Sequence, residues 1–454
     1  MNLKDWKSVK WVILLSAVLC ANGVYAQLDT AIHQHAFSLQ QALDYAKQHN
    51  VQVKNALLDI QVQQQVNREV TGRAYPQINA SGSLVYNAKL PVSLVPAEFF
   101  GGQPGTFQKL EFGVKWGATG GVSLNQILFD GQVFVGLQAR ETLIKFSEKQ
   151  AEITEETIRA NIAKIYYQLV ASKTQISLID ANIALLEKLQ HDTKVMYENG
   201  FAEQLDMDKI SVQLANLHTE KETALTQIRN GFLGLKVLMG MPVKDELVLT
   251  DEITDDKVKE GLLDVGNFDY QQRRDFQYAN LGVKLGEYDL KRYRLAKLPT
   301  LSINGYYNKN AQRNTFDFFS GHGDWFGISA FTLQLQIPLF TGFSANARIA
   351  QANLALQKSI NQREALKISI DSEIETAKNS FVSAIATLDY QKKNMALAQT
   401  VFDQTKKKFE IGTGSNTEIT QAQTDLKGAQ TNYLNALYNA IIARIDYTKA
   451  IGKL

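Results

Sequence analysis

Residues 374–410 read IETAKNSFVSAIATLDYQKKNMALAQTVFDQTKKKFE, and the spacing of their apolar side chains identifies the main structural element. Every seventh residue is apolar: Ile374, Phe381, Leu388, Met395, Phe402 and Phe409. Small alanines follow three positions later at Ala377, Ala384 and Ala398. This sustained heptad spacing predicts a long helix whose apolar seam packs against a partner helix, as in a coiled coil.

A second seam with the same spacing lies earlier in the chain. Its members are Ile162, Leu169, Ile176, Ile183 and Tyr197, with one polar residue, Gln190, in the series. We predict long helices over residues 132–197 and 343–409. Each would extend for about 100 Å at 1.5 Å per residue, which is too elongated for a globular enzyme.

Short motifs recur at a nearly constant offset. Leu128–Gly131 matches Leu339–Gly342 at an offset of 211, and Tyr197–Gly200 matches Phe409–Gly412 at an offset of 212. We therefore predict an internal duplication, each copy running helix, two strands, long helix, turn and helix. The predicted boundaries are 27–240 for repeat 1, 241–266 for an acidic linker and 267–454 for repeat 2. The predicted shorter helices are 38–70, 201–239, 268–296 and 415–450.

Four segments between the helices alternate apolar and polar residues, which predicts strands with one apolar face. The apolar positions are Ile78, Ala80, Gly82, Leu84 and Tyr86; Val114, Trp116, Ala118, Val122 and Leu124; Leu301, Ile303, Gly305 and Tyr307; and Phe331, Leu333, Leu335 and Ile337. The alternation alone fits a soluble hairpin packed on the helices equally well. The segments are, however, about as long as a tilted membrane strand, and the loops that join them are rich in aromatic residues.

The number of strands bears on how such a sheet could enter lipid. Four strands leave two open edges, which lipid does not tolerate because unpaired backbone groups find no water there. Closed membrane barrels begin at about eight strands, so several chains would have to share one barrel. Two chains would supply eight strands around an interior filled by side chains, whereas three would supply twelve with room for a channel. We therefore expect a trimer.

Composition excludes several classes of protein. The chain has 454 residues, with 48 Lys and Arg against 46 Asp and Glu, and a single cysteine, Cys20. This near-neutral balance argues against a nucleic-acid partner, and one cysteine cannot form an internal disulfide. Residues 1–26 have the basic start, short apolar run and small-residue end of a signal peptide, so we expect export. No later apolar run reaches the length of a membrane-spanning helix.

Motifs for chemistry are scarce. His33 and His35 lie close together, but no pair of histidines has the helical spacing typical of zinc sites. No phosphate loop, dinucleotide fingerprint or grouped Ser, His and acid is present. We expect no enzymatic activity, no cofactor and no metal site.

The ordered motifs resemble the TolC-like outer-membrane efflux protein family over nearly the whole chain after residue 26. Besides the duplication, the resemblance rests on Pro76 and Pro299 before the first strand of each copy, on the two Leu-Phe-x-Gly motifs and on the two Gly turns. It implies an α+β, mainly α fold: antiparallel helical hairpins form a tunnel, and a homotrimer shares a 12-stranded transmembrane β-barrel. It also implies a passive exit duct in the outer membrane that extends into the periplasm, with a periplasmic adaptor and an inner-membrane transporter as partners.

The resemblance also implies a gate at the periplasmic tip, near the turns that contain Gly200 and Gly412. Its implied residues are Tyr197, Gly200, Asp206, Asp208, Phe409, Gly412, Gly414, Glu418 and Gln421. The chain departs from the family pattern at three of these, because Phe409 replaces a tyrosine, Gly414 an arginine and Gln421 an acid. From the residues alone, the first tip is acidic, since Glu198, Glu203, Asp206 and Asp208 lie within eleven positions. We expect Asp206 and Glu418 to line a constriction that attracts cations.

A soluble periplasmic coiled-coil adaptor or binding protein is the alternative interpretation. Such a protein would carry β-rich domains on either side of a single helical hairpin. Here the strands are divided between two repeats and are apolar on one face, which favours the duct.

Overall fold

The computed structural model describes residues 33–253, 258–259, 268–321 and 323–454. The predicted signal peptide, residues 1–26, lies outside the described residues, as do residues 254–257 and 260–266 of the predicted acidic linker. Within the described residues the chain is mainly helical, as predicted. Its helices of eight or more residues are α1 (Leu39–His49), α2 (Val51–Gly72), α3 (Gly131–Glu198), α4 (Gln204–Met239), α5 (Arg274–Leu295), α6 (Ser344–Glu410) and α7 (Asn416–Ala450).

Two long helices dominate the architecture. Helix α3 has 68 residues and α6 has 67, so each extends for about 100 Å. Helix α3 packs against α2, α4, α5 and α7, whereas α6 packs against α5 and α7. The shorter helices α1, α2 and α4 have 11, 22 and 36 residues, nearly the length of α3 in total.

The predicted seams form the core along these helices. In α6, Ile374, Phe381, Leu388, Phe402 and Phe409 are all buried. In α3, Ile162, Leu169 and Ile183 are buried, and the polar Gln190 donates a hydrogen bond to Ser211 of α4 at 2.9 Å. Tyr197 was wrongly placed in the seam, since 42% of it is exposed. It lies in the last turn of α3, and α4 begins only at Gln204, so no partner layer covers it.

The predicted single helix 38–70 is broken at Asn50, which corrects the sequence analysis. Asn50 has an extended backbone (φ −61°, ψ 128°), and its side-chain oxygen accepts a hydrogen bond from the N–H of Val53 at 3.0 Å. It therefore ends α1 and caps α2. Neither proline nor glycine marks the break, so helical periodicity alone did not reveal it.

The four predicted strands form one antiparallel sheet in the order β2-β5-β7-β8. Their bounds are β2 (Gln77–Tyr86), β5 (Trp116–Phe129), β7 (Thr300–Arg313) and β8 (Phe326–Gln336). Val114 and Ile337, which were expected in strands, lie just outside them. Leu128 and Phe129 end β5, but the matching Leu339 and Phe340 follow β8 in a loop.

Two pairs of short strands were not predicted. Strand β1 (Gln34–Phe37) pairs in parallel with β6 (Glu246–Leu249), which lies inside the predicted linker. Strand β3 (Val92–Pro96) pairs with β4 (Phe107–Glu111) in the long loop between β2 and β5. Segments of four or five residues are too short to show a reliable alternation, and the parallel partners lie more than 200 residues apart.

One described helix, α3, has an 18-residue window apolar enough to cross a membrane by length and composition, with a mean hydropathy of 1.2. The short apolar runs of the sequence predict no such helix. One window of this kind is weak evidence, because core helices of soluble proteins meet the same test. In α3 the apolar residues Ile162, Tyr166 and Leu169 belong to the helical core.

Candidate functional site

The first helical tip is the turn between α3 and α4. Gly200 adopts φ 82°, a conformation that glycine accepts at little cost. Asp206 takes part in a capping box with Glu203, whose N–H donates to the Asp206 carboxylate at 3.4 Å. Asp208 accepts a hydrogen bond from the Gln204 side chain at 2.9 Å. Both predicted acids therefore lie in the first turns of α4, where negative charge is favoured by the helix dipole.

The second tip, between α6 and α7, is built in the same way. Gly412 adopts φ 76°, and the N–H of Gly414 donates to the carbonyl of Lys408 at 3.0 Å. Ser415 caps α7 by accepting from the N–H of Glu418 at 3.1 Å, while Glu418 accepts from the N–H of Ser415. The carboxylate of Glu418 is thereby held at the start of α7.

The fold brings the two tips into contact. The Asn416 side chain donates to the backbone carbonyl of Asp206 across 3.5 Å. Phe409 is buried and shares a hydrophobic cluster with Ile210 of α4 and Ile419 of α7. The aromatic ring at this position therefore acts through packing.

Other predicted tip residues do not join this contact. Tyr197, Asp208 and Gln421 are exposed, and the Gln421 amide donates to Asp425 of its own helix at 2.8 Å. In one chain, Asp206 thus lies at the junction of the tips, whereas Glu418, Tyr197 and Gln421 are exposed.

A buried amide layer above the tips was missed by the sequence analysis. Asn182 of α3 donates to the Gln430 side chain at 3.1 Å and accepts from Gln423 at 3.4 Å, so it joins α3 to α7. Asn182 and Gln423 are both buried. A single polar residue on a helix flank looks like an ordinary surface residue in sequence, so only Gln190, inside the seam, was noticed.

Ion pairs reinforce the same level of the helical body. Lys221 of α4 pairs with Asp180 of α3 at 2.7 Å, and Lys427 of α7 pairs with Glu220 of α4. The hydrogen bond with Asp180 raises the pKa of the Lys221 ammonium group. Both helical hairpins are therefore linked by polar contacts as well as by their apolar seams.

The four-stranded sheet has two chemically distinct faces, because the strand register aligns the alternation of all four strands. Ala80, Val122, Tyr307 and Ser329 form one row of the apolar face, and Leu124 lies beside Ile78 and Gly305. The opposite face carries mainly Asn, Gln, Ser, Thr and Tyr, with Val85, Phe326 and Ile328 at the end far from the helices. It has no Lys, Arg, Asp or Glu in these strands.

Amide groups cross the polar face as a ladder. Asn125 donates to the side-chain oxygen of Asn304, and Asn304 donates to Gln334 at 3.2 Å. These residues come from three neighbouring strands. The ladder makes this face hydrophilic and uncharged, which suits a surface wetted by water.

Among the described residues, no group of three or more His, Cys, Asp or Glu could hold a metal ion. His35 lies 3.6 Å from Asp245, next to the β1–β6 pair. This contact joins the start of the described chain to the predicted acidic linker.

Residues 270–453 match the family model described as outer membrane efflux protein. The outer membrane protein TolC of Vibrio cholerae is 21% identical over 335 residues, covering 74% of this chain and 76% of that protein. The predicted family resemblance is confirmed. A probable efflux pump outer membrane protein of Pseudomonas putida, TtgC, is 22% identical over 426 residues, covering 92% of this chain and 83% of the relative.

Solved structures of two transmembrane proteins share the fold. CusC superposes with a TM-score of 0.77 at 16% identity, covering 93% of both chains. The outer membrane protein VceC of Vibrio cholerae superposes with a TM-score of 0.70 at 15% identity, covering 91% of this chain and 96% of VceC. The predicted location in the outer membrane, with an extension into the periplasm, agrees with the names of these relatives and with the structural neighbours, which are outer-membrane channels.

Proposed function

We propose that this protein is the outer-membrane exit duct of a tripartite efflux or secretion system and conducts substrates passively. The observation that carries the proposal is the four-stranded sheet. Its apolar face is exposed, its other face is hydrophilic and uncharged, and its outer strands β2 and β8 each have a free edge within the described chain. Lipid would cover the apolar face, and further copies would have to pair with both edges.

Three copies satisfy these requirements best. A trimer would join β8 of one copy to β2 of the next and close a 12-stranded barrel with a water-filled interior. The polar face would then line the channel. The names of the relatives, which describe outer-membrane efflux proteins, support this assignment.

The helices also carry apolar surface that one chain leaves uncovered. Exposed residues follow the faces of three helices: Val51, Leu58 and Val62 on α2; Leu205, Val212 and Val237 on α4; and Leu354, Ile368, Val382 and Leu397 on α6. Rows of this kind are typical of surfaces that pack against another chain. Neighbouring copies would cover them and close a helical tunnel below the barrel.

The proposed duplication is supported by the lengths of the helices. Helices α2 and α5 each contain 22 residues, and 223 positions separate their first residues, Val51 and Arg274. The same distance separates Tyr75-Pro76 from Leu298-Pro299. We therefore retain repeats 27–240 and 267–454, joined by 241–266, as the proposed organisation.

The proposed gate is the junction of the two tips in each chain. Around a threefold axis, Asp206 and Glu418 would bring carboxylates from three chains to the narrow end of the tunnel. Splaying of the hairpins would separate Asn416 from Asp206 and open this end. A periplasmic adaptor and an inner-membrane transporter would supply the force and the choice of substrate, so the duct itself would need no enzymatic activity.

The first test is the mass of the detergent-extracted protein, followed by conductance in planar bilayers. We expect a species at three times the mass of the processed chain, and discrete channel openings. A monomer that stays soluble without detergent would overturn the duct and support the soluble coiled-coil alternative. A trimer that shows no conductance would contradict the proposal that the protein conducts substrates, but not the proposal that three chains share one barrel.

A further inference from the structure

The sheet carries formal charge at only two positions. Strands β2, β5 and β8 contain no Lys, Arg, Asp or Glu, and β7 contains Lys309 and Arg313. Both side chains project from the apolar face, since they share the alternation of Leu301, Ile303 and Tyr307. The face proposed to meet lipid therefore carries positive charge without any carboxylate from its own strands.

The two cations differ in their partners. Arg313 is buried and pairs with Asp317 at 2.9 Å, and it also donates to the carbonyl of Gly323 at 3.2 Å. Lys309 is exposed, and its ammonium group forms no ion pair with any described residue. Its strand neighbours in the register are Gly120 and Gly327, which have no side chains to cover it. Lys309 is thus an uncompensated cation on an otherwise apolar surface.

The position of Lys309 along its strand matches the edge of a membrane. Eight residues separate Leu301 from Lys309, or about 27 Å along an antiparallel strand. With the strand tilt usual in membrane barrels, the rise is about 20 Å, close to the height of the apolar band. Tyr86 and Trp116 lie four residues further from the helices, about 13 Å along the strands, with ring centroids 4.5 Å apart, and aromatic rings of this kind mark the headgroup level. Lys309 therefore lies on the helix side of this level, and the length of a lysine side chain lets its ammonium group extend toward the headgroups.

We propose that Lys309 binds the anionic headgroup of an outer-leaflet lipid and thereby anchors the outer rim of the barrel. The proposal rests on the proposed barrel, in which the helices extend into the periplasm and the opposite end of the sheet faces the outer leaflet. Charge complementarity selects the occupant, because an ammonium group at the headgroup level attracts phosphate and the flanking glycines leave space for it. Each trimer would offer three such positions.

The test is native mass spectrometry of the detergent-extracted protein with added phosphatidylglycerol, which is anionic, or phosphatidylcholine, which is zwitterionic. We expect preferential binding of phosphatidylglycerol, and about fivefold weaker binding in Lys309→Gln. Lys309→Arg should retain binding because it keeps the charge. Lys109→Gln is the matched control, since it removes an exposed lysine from strand β4, outside the four-stranded sheet.

Each outcome bears on a separate part of the proposal. Trimers of Lys309→Gln that bind phosphatidylglycerol as tightly as the unaltered protein would overturn the Lys309 site and leave the barrel standing. An equal loss in Lys109→Gln would also overturn it, because the attraction would then be non-specific. A monomeric mass would overturn the shared barrel itself, and with it the lipid-facing position of Lys309.

Discussion

Arg273 donates a hydrogen bond from Nη1 to the backbone carbonyl of Ala450 at 2.8 Å, and so joins the start of α5 to the last residue of α7. Asn50 makes the same kind of link at the start of α2, donating from its side chain to the carbonyl of Leu238 at 2.6 Å. The two donors are 223 positions apart and the two acceptors 212, the offsets that relate the proposed repeats. Two different side chains thus donate to a terminal carbonyl that has no partner within its own helix, at equivalent joints.

Arg273→Gln should destabilise the protein by about 1–3 kcal/mol. Arg273 is buried and also pairs with Asp275 and Glu373, at 2.7 and 2.8 Å. Burial works against its charge, but the hydrogen bonds to these carboxylates prevail and raise the pKa of the guanidinium group. Denaturant unfolding of the detergent-solubilised protein measures the loss of unfolding free energy. As a control, Arg292→Gln in α5 removes an exposed ion pair with Asp289 and should cost less than about 1 kcal/mol. Equal losses in the two variants would contradict a stabilising role for the buried contacts of Arg273.

Gly240→Ala should be more damaging than Gly200→Ala. Both glycines adopt positive φ, 73° and 82°, so alanine costs about 1–2 kcal/mol at either position. At Gly240 the added Cβ would lie 2.3 Å from the carbonyl oxygen of His49, whereas at Gly200 it would meet open space. The clash should add about 1–3 kcal/mol to the loss of unfolding free energy. Similar losses of unfolding free energy in the two variants would show that the backbone around His49 and Gly240 moves to accommodate the added Cβ.

Tyr166→Phe should change the alkaline stability of the protein. The Tyr166 hydroxyl donates to the carbonyl of Phe37 at 2.9 Å and accepts from the N–H of Asp251 at 3.2 Å, and burial raises its pKa to about 12. Because the folded pKa exceeds the unfolded value of about 10, the stabilising contribution is complete below pH 10 and is lost as pH rises toward 12. The free energy of unfolding should be measured from about pH 9 to about pH 12, which spans the two pKa values. It should fall less steeply with pH in Tyr166→Phe than in the unaltered protein.

The same variant should lose about 1–3 kcal/mol at neutral pH, since the N–H of Asp251 would lose its hydrogen-bond partner and the carbonyl of Phe37 would keep only the N–H of Thr250. Tyr390→Phe is the control, because Tyr390 is 71% exposed. It should change neither the neutral stability nor the alkaline slope. If the unfolding free energy of Tyr166→Phe fell with pH as steeply as that of the unaltered protein, groups other than Tyr166 would cause the loss of stability at alkaline pH.

Glu418→Gln should weaken block of the channel by divalent cations without unfolding the tip. Glutamine keeps the capping box with Ser415 but removes the charge, so the helix start is preserved while the proposed carboxylate ring is neutralised. Planar-bilayer recordings of Glu418→Gln and of the double variant with Asp206→Asn should show progressively weaker block. Glu364→Gln, in the body of α6 far from the tip, should behave like the unaltered channel. Unchanged block in the double variant would remove both acids from the proposed gate.

Much of the fold could be predicted because its elements obey local periodicities. The seam from Ile374 to Phe409 follows the heptad rule, and the alternation from Ile78 to Tyr86 follows the strand rule, so both patterns report which face is buried. The break at Asn50 was not predictable in this way. It depends on the carbonyl of Leu238, which lies 188 positions away in sequence.

The candidate tip was predictable only in part. The turns at Gly200 and Gly412 were visible as glycines after long helices, and both have positive φ. The contact of Asn416 with Asp206 was not visible, because it joins turns from the two proposed repeats. The family resemblance placed Tyr197 and Gln421 at the gate, but it did not reveal that both are exposed in one chain.

The amino-acid sequence by itself determined the periods of the helices and strands, the repeated motifs and the family resemblance, since each follows from the order of residues without knowing which distant residues meet in space. Tertiary structure alone decided which polar groups meet: Asn182 with Gln423 and Gln430, Arg273 with Ala450, and Lys309 between two glycines. These contacts require the axial register of long helices and the pairing of distant strands. A shift of one residue would turn each side chain to another face, so packing of the whole chain sets them.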